Sequence, residues 1–286
     1  MDQTAGVVKE SRARWSFSPR CEVFRTVYRE AEAGAYTSWN QVEDSFLASM
    51  SSFDTSIGLT VGAEMTDDEK SELSADLQNG KGDFFNDLLV LLLRNCSGVP
   101  LGASRRRVPG LVVPVHNLDG VYPSTGEIGF MLEAKMMGTP KHINSPKQKS
   151  AGRPGSADLD KRVKELAFKS IDLKGEFSRL RTIAGEAPTS GAAGGGDLTT
   201  WLRSVKPRIY FCLAVRVISD ADFERTLTWA STAQQVVDAV GLYCFEPIDD
   251  SFTVYRRRDG VPADLQLERV LYKACLDLQS SAPTVE

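Results

Sequence analysis

Residues 108–137 read VPGLVVPVHNLDGVYPSTGEIGFMLEAKMM, and we expect this stretch to decide the fold. Two apolar runs within it, residues 111–115 and 128–132, have the composition of β-strands. The Ser-Thr-Gly sequence at 124–126 lies between them and is typical of a turn. The pattern therefore predicts a β-hairpin whose second strand continues into Glu133, Ala134 and Lys135.

Three charged residues belong to this predicted hairpin. Glu133 and Lys135 are two residues apart on one strand, so both side chains point to the same face and Ala134 points to the other. A hairpin with its turn near residue 125 would bring Asp119 back beside Glu133. The sequence therefore predicts two carboxylates and one ammonium group at a single place on the sheet.

Charged groups gathered in this way are costly to bury without a partner, and a hard divalent cation is the usual partner for two carboxylates. Mg²⁺ takes one or two carboxylates, keeps several waters and engages phosphate oxygens. Asp119 and Glu133 are thus candidate metal ligands. Lys135 would orient or deprotonate an attacking water, or offset charge in the transition state of phosphodiester hydrolysis.

These residues resemble the catalytic motif of the PD-(D/E)xK nuclease superfamily, to which many restriction endonucleases belong. The matching features are Asp119, a spacer of 13 residues, an apolar strand and Glu133-Ala134-Lys135, although Leu118 stands where the motif has proline. The resemblance implies an α/β, restriction-endonuclease-like core, which is a mixed central β-sheet flanked by helices. It also implies a DNA endonuclease that uses Mg²⁺, for which Mn²⁺ can substitute. Judged by the order of helices and strands, the resemblance covers about residues 81–255.

The resemblance implies a type II restriction enzyme or a related phage-defence nuclease that acts on double-stranded DNA. Cutting both strands takes two active sites, so a homodimer or higher homo-oligomer is expected. One alternative is a catalytically inactive DNA-binding or assembly protein in which Glu133 and Lys135 pair. Others are an RNase or repair nuclease on the same fold, and an effector nuclease activated by a small messenger or by oligomerisation.

A third acidic ligand has two candidates on the apolar helix predicted over residues 81–95. Related nucleases often place a helix before the catalytic strands, and that helix often carries an additional acid. Asp83 and Asp87 are four residues apart and therefore share a helix face. The alternative is that both acids stabilise the helix N-terminus through its dipole.

Positive charge is concentrated after the catalytic motif. The whole chain has a net charge of −4, whereas residues 1–80 hold 14 acids and 7 bases, and residues 141–181 hold 11 bases and 5 acids. Such a basic segment could hold a DNA backbone, although a solvated helix face is the common alternative. The candidate DNA contacts are Arg105, Arg106, Arg107, Lys141, Lys147, Lys149 and Arg153.

Length and composition are those of an ordinary globular protein, with 286 residues, 42% hydrophobic and 25% charged. We divide the chain into an acidic N-terminal helical region, 1–80, and a core, 81–286, with a basic loop and helix inserted over about 138–206. No apolar run approaches 18 residues and the N-terminus lacks a secretory apolar core, which predicts a cytoplasmic protein without a membrane partner.

The five cysteines are widely spaced and form no C-x-x-C pair, so we expect reduced, mostly buried thiols and no zinc site. His116 is expected to be structural. Further predictions are helices over 19–34, 37–50, 66–79 and 263–278, and strands over 209–218, 242–245 and 252–255. A long amphipathic helix is predicted to start at Ser156 or Asp158, and another, capped by Ser219-Asp220 or by Asp222, to run through Val240.

Overall fold

A computed structural model describes residues 21–61, 80–101, 106–140, 152–185, 198–248 and 253–281, with the backbone alone at 57–61. The helices are α1 (Glu22–Glu32), α2 (Trp39–Val61), α3 (Lys81–Ser97), α4 (Leu159–Ile183), α5 (Leu198–Ser204), α6 (Asp220–Ala233) and α7 (Leu267–Ser281). The strands are β1 (Arg106–Val108), β2 (His116–Leu118), β3 (Gly120–Tyr122), β4 (Phe130–Met137), β5 (Arg208–Arg216), β6 (Ala239–Pro247) and β7 (Tyr255–Arg257).

Five strands form one mixed sheet in the order β3-β4-β5-β6-β7. The three central strands are parallel, and the two edge strands pair antiparallel to them. Strand β5 is apolar on both faces because helices cover the sheet on both sides, as is typical of parallel strands. The predicted α/β class, with a mixed sheet flanked by helices, is confirmed.

Alternate residues of β4 belong to different hydrophobic cores. Phe130, Leu132 and Ala134 pack in the core that contains α1, α2, α3 and α7. Met131 packs in the opposite core, which contains α4 and α6. Because side chains alternate along a strand, Glu133 and Lys135 point to the α4 side.

The N-terminal helices α1 and α2 cover the sheet rather than standing apart from it. Phe24, Trp39 and Phe46 are buried in the same core as α3 and β6. The boundary proposed at residue 80 stays a prediction. The predicted helix over 66–79 lies outside the described residues.

The prediction of a strand over residues 111–115 is wrong. The carboxylate of Asp172 on α4 accepts hydrogen bonds from the backbone amides of Val112 and Val113, at 2.7 and 3.2 Å. The same carboxylate lies 2.6 Å from Nε2 of His116. These contacts hold the segment against α4 as a loop. The backbone amides that would pair with a neighbouring strand donate instead to a carboxylate about sixty residues away in sequence. His116 has the structural role that we expected.

Gly110 is required where this loop turns against Asp172. A Cβ atom there would lie 1.8 Å from Oδ2 of Asp172 and 2.8 Å from Nε2 of His116. We therefore expect Gly110→Ala to lower the free energy of unfolding by about 2 kcal/mol, measured by urea denaturation. Gly129→Ala is the control, since its new methyl would meet only a carbonyl oxygen at 3.9 Å. Equal stability of the two variants would contradict this packing.

The expectation of five reduced cysteines is wrong for two of them. Helices α3 and α7 pack together and place Cys96 and Cys275 in a disulfide, with 6.2 Å between their Cα atoms. Their separation of 179 residues gave no indication of this contact. Cys21, Cys212 and Cys244 are buried, as predicted.

Most other predicted elements are present with shifted ends. Helix α2 continues to Val61 rather than ending at residue 50, and α6 ends at Ala233 rather than near 240. The last strand is Tyr255–Arg257 instead of 252–255. Among the helices in the described ranges, none is both long enough and apolar enough to cross a membrane.

Candidate active site

The site forms where β2 gives way to β3, opposite the middle of β4. Asp119 is the single residue between these two short strands. Antiparallel pairing places Gly120 against Leu132, so Asp119 comes beside Glu133. Arg106 supports the turn that closes the hairpin, because its guanidinium donates to the carbonyls of Pro123 and Gly126.

The ammonium group of Lys135 lies between the two carboxylates. Its Nζ is 2.7 Å from Oε1 of Glu133 and 3.3 Å from Oδ2 of Asp119. The backbone amide of Ala134 lies 3.4 Å from the same Oδ2. The three residues predicted as catalytic therefore meet, and they do so on one face of β4.

A fourth charged residue, which sequence reasoning did not place at the site, comes from α4. Lys169 Nζ lies 2.8 Å from Oε2 of Glu133 and 3.4 Å from the carbonyl oxygen of Asn117. Its only signal in the sequence was membership of the basic segment 141–181. Glu133 thus has one ammonium group on each carboxylate oxygen.

Glu133 is the least exposed of the four side chains, at 8% of its side-chain surface. Asp119, Lys135 and Lys169 keep 21%, 30% and 19%. The site is therefore partly open to solvent, with one nearly buried carboxylate. Solvent reaches Lys135 and Asp119.

Burial and charge act in opposite directions on the two carboxyl groups. Burial raises the pKa of Asp119, and the neighbouring Glu133 raises it further. Burial also favours neutral Glu133, but the ammonium groups of Lys135 and Lys169 outweigh burial and lower the pKa of Glu133. For Lys135, burial opposes the charged form, but Glu133 and Asp119 overcome it and raise the pKa.

The donor set fits a hard divalent cation. Two carboxylates of different elements converge, and Mg²⁺ uses one or two carboxylates while keeping its waters. Within the described residues, no set of three or more His, Cys, Asp or Glu side chains could hold a metal. Helix α3, which carries Asp83 and Asp87, packs on the opposite face of the sheet, so the structure does not bring these acids to Asp119 and Glu133.

The predicted DNA contacts are spread over several environments. Arg106 is engaged by the turn carbonyls, whereas Arg107 is exposed on β1. Arg153 forms an ion pair with Asp158, the residue that directly precedes α4. The other four candidates, Arg105, Lys141, Lys147 and Lys149, lie outside the described residues.

This arrangement can bind a cation through two carboxylates and can place an ammonium group beside a bound anion. Both abilities suit chemistry at a phosphodiester. Protein-family models, curated proteins and solved structures give no match to this chain.

Proposed function

We propose that this chain is a Mg²⁺-dependent DNA endonuclease with a restriction-endonuclease-like core. The observation that carries the proposal is the position of the Lys135 ammonium between Asp119 and Glu133. The mixed sheet, with the acids on its β3–β4 hairpin, supports it. A homodimer that serves type II restriction or phage defence is the setting we favour.

Asp119 and Glu133 would hold the metal ion through their carboxylates. When bound, Mg²⁺ would supply positive charge at phosphate oxygens and favour an ionised water nearby. The apolar residues of β4 pack in the two cores and hold Glu133, and the pairing of β3 with β4 holds Asp119 beside it. The ammonium of Lys135 would then be released from the carboxylates and directed to the water and the phosphate.

Attack of water at phosphorus forms one P–O bond and breaks the bond to the leaving oxygen; the water gives up one proton to solvent, and the leaving oxygen takes one up from solvent. Negative charge on the phosphoryl oxygens grows before that bond breaks. Lys135 is positively charged beside the site and can stabilise this charge where it develops. We therefore assign Lys135 first to charge stabilisation and orientation of water.

The first test is incubation of plasmid and phage DNA with the protein, with and without Mg²⁺, followed by gel electrophoresis. We expect cleavage only with Mg²⁺, because phosphodiester hydrolysis at this site needs the cation. Discrete bands would indicate a restriction enzyme and a smear a nonspecific nuclease. DNA that stays intact under every condition would contradict the proposal.

A second candidate is an inactive DNA-binding or assembly protein on the same fold. The observation that favours it is charge balance, since two carboxylates face two ammonium groups and the four charges offset one another. Titration with Mn²⁺ separates the two functions. A nuclease should bind the ion in a manner that depends on Asp119, whereas a permanently ion-paired site should not.

A further inference from the structure

Lys135 and Lys169 hold opposite sides of the Glu133 carboxylate. Lys135 contacts Oε1, the oxygen on the side shared with Asp119, whereas Lys169 contacts Oε2. The oxygen that faces Asp119 is the one that would share a cation with it. The two lysines therefore differ in position, although both pair with the same acid.

Lys169 is held from outside the pair of acids, by a second strand and by its own helix. Its ammonium bridges Glu133 on β4 and the carbonyl oxygen of Asn117 on β2. Its helix is anchored nearby, because Asp172 holds the 109–115 loop and His116. Lys174, one turn further on, is buried in an ion pair with Asp238. Lys169 thus extends from a helix that is fixed at several points.

We propose that Lys169 is a positioning residue that holds Oε2 of Glu133 and so presents Oε1, beside Asp119, to a divalent cation. This inference rests on the proposed function. A cation at the two acids would displace Lys135 and leave the Lys169 contact in place. Lys135 is then the lysine that leaves the carboxylates, and Lys169 is the one that stays.

If Lys169 merely balances charge, its replacement should change the affinity for a divalent cation in the opposite direction. Removing any nearby positive charge would then strengthen binding of a cation. Removing a positioning group weakens it, since the carboxylate can rotate and Lys135 competes more strongly for both oxygens. Loss of a group that orients a metal ligand typically costs about 10–100-fold in metal affinity. The sign of the change therefore separates the two roles.

The experiment is calorimetric titration of the full chain with Mn²⁺ in the absence of DNA. We expect Lys169→Met to weaken binding by about 10–100-fold, and Lys169→Arg, which keeps a donor there, to recover most of the loss. Lys135→Met should bind Mn²⁺ at least as tightly as wild type. Lys161→Met is the matched control, because Lys161 is an exposed lysine of the same helix.

Binding by Lys169→Met that equals or exceeds wild type would overturn this inference. Thermal unfolding in EDTA checks that the variant is folded, and Lys169→Leu, which also lacks a donor, replaces it with the same expected loss if it is not. Failure of the proposed function looks different: wild type would not bind Mn²⁺, or Asp119→Asn would bind it equally well.

Discussion

Replacing either carboxylate, as Asp119→Asn or Glu133→Gln, should reduce DNA cleavage by on the order of 10²–10³-fold or more. Each change replaces one of two charged carboxylate ligands by a neutral amide of the same size. With a single carboxylate left, the site would hold Mg²⁺ poorly and could not stabilise charge on the phosphate. The measurement is the single-turnover rate at saturating protein, across a range of Mg²⁺ concentrations.

The same two variants should change stability in opposite directions when metal is absent. Asp119→Asn removes a carboxylate whose ionised form is disfavoured by burial and by Glu133, so the folded state should gain stability. Glu133→Gln leaves the ammonium groups of Lys135 and Lys169 without their shared acid. It should cost about 2 kcal/mol. Urea denaturation in EDTA measures both changes.

The pH dependence of these two stability changes follows from the direction in which each pKa is shifted in the folded protein. The pKa of Asp119 is raised in the folded protein, so its cost disappears below the unfolded value of 3.8 and appears in full above the folded pKa. The pKa of Glu133 is lowered, so its contribution is present above 4.5 and is lost as pH falls through the folded pKa. The two stability differences should therefore both shrink in acid.

Asp160→Asn is the matched control, because Asp160 is a partly exposed carboxylate on α4 that forms an ion pair with the neighbouring Lys164 and lies outside the site. It should affect neither cleavage nor stability appreciably. Near-normal cleavage by Asp119→Asn or by Glu133→Gln would show that the metal ligands are assigned wrongly. A shift of stability in the same direction for both variants would contradict the electrostatic description of the site.

The meeting of Asp119, Glu133 and Lys135 could be predicted because it depends on local rules. The turn at 124–126 folds β4 back on the preceding chain, and alternation along a strand puts Glu133 and Lys135 on one face. Both rules act within 20 residues of sequence. The same is true of β5, whose run of apolar residues is typical of a strand covered on both faces.

Features that depend on distant parts of the chain could not be predicted in this way. The segment 111–115 has strand composition, but the carboxylate of Asp172 takes its amides and makes it a loop. Lys169 reaches Glu133 only because α4 packs on that face of the sheet. The spacing of these residues in sequence, 36 and 60 positions, contains no signal of contact.

Lys135→Ala should lower the single-turnover rate of cleavage by on the order of 10²–10³-fold and leave DNA affinity close to wild type. Burial acts against a charged Lys135, but Glu133 and Asp119 raise its pKa, so the group is an ammonium in the metal-free site. An ammonium cannot accept a proton, and its contribution is therefore largest where negative charge develops in the transition state. Interactions made mainly in the transition state change rate more than binding.

Two further substitutions test whether the shape and the charge of the Lys135 ammonium are both required. Lys135→Arg should also fail, because the guanidinium is larger and planar and cannot take the place of a compact ammonium between the two carboxylates. Lys135→Glu would add a third carboxylate and should raise metal affinity without restoring cleavage. Lys164→Ala is the control, since Lys164 is exposed on α4 and forms an ion pair with Asp160.

The decisive comparison sets the cleavage rate of Lys135→Ala in Mg²⁺ beside its DNA affinity in Ca²⁺, an ion that usually supports binding without hydrolysis. A large loss of rate with intact affinity places Lys135 in the transition state. Equal losses of rate and affinity would make it a DNA-binding group, and cleavage at the wild-type rate would remove it from the mechanism. In the last of these cases the ion pairs of Lys135 with Glu133 and Asp119 would be structural, because the ammonium would have no separate task once a cation had displaced it.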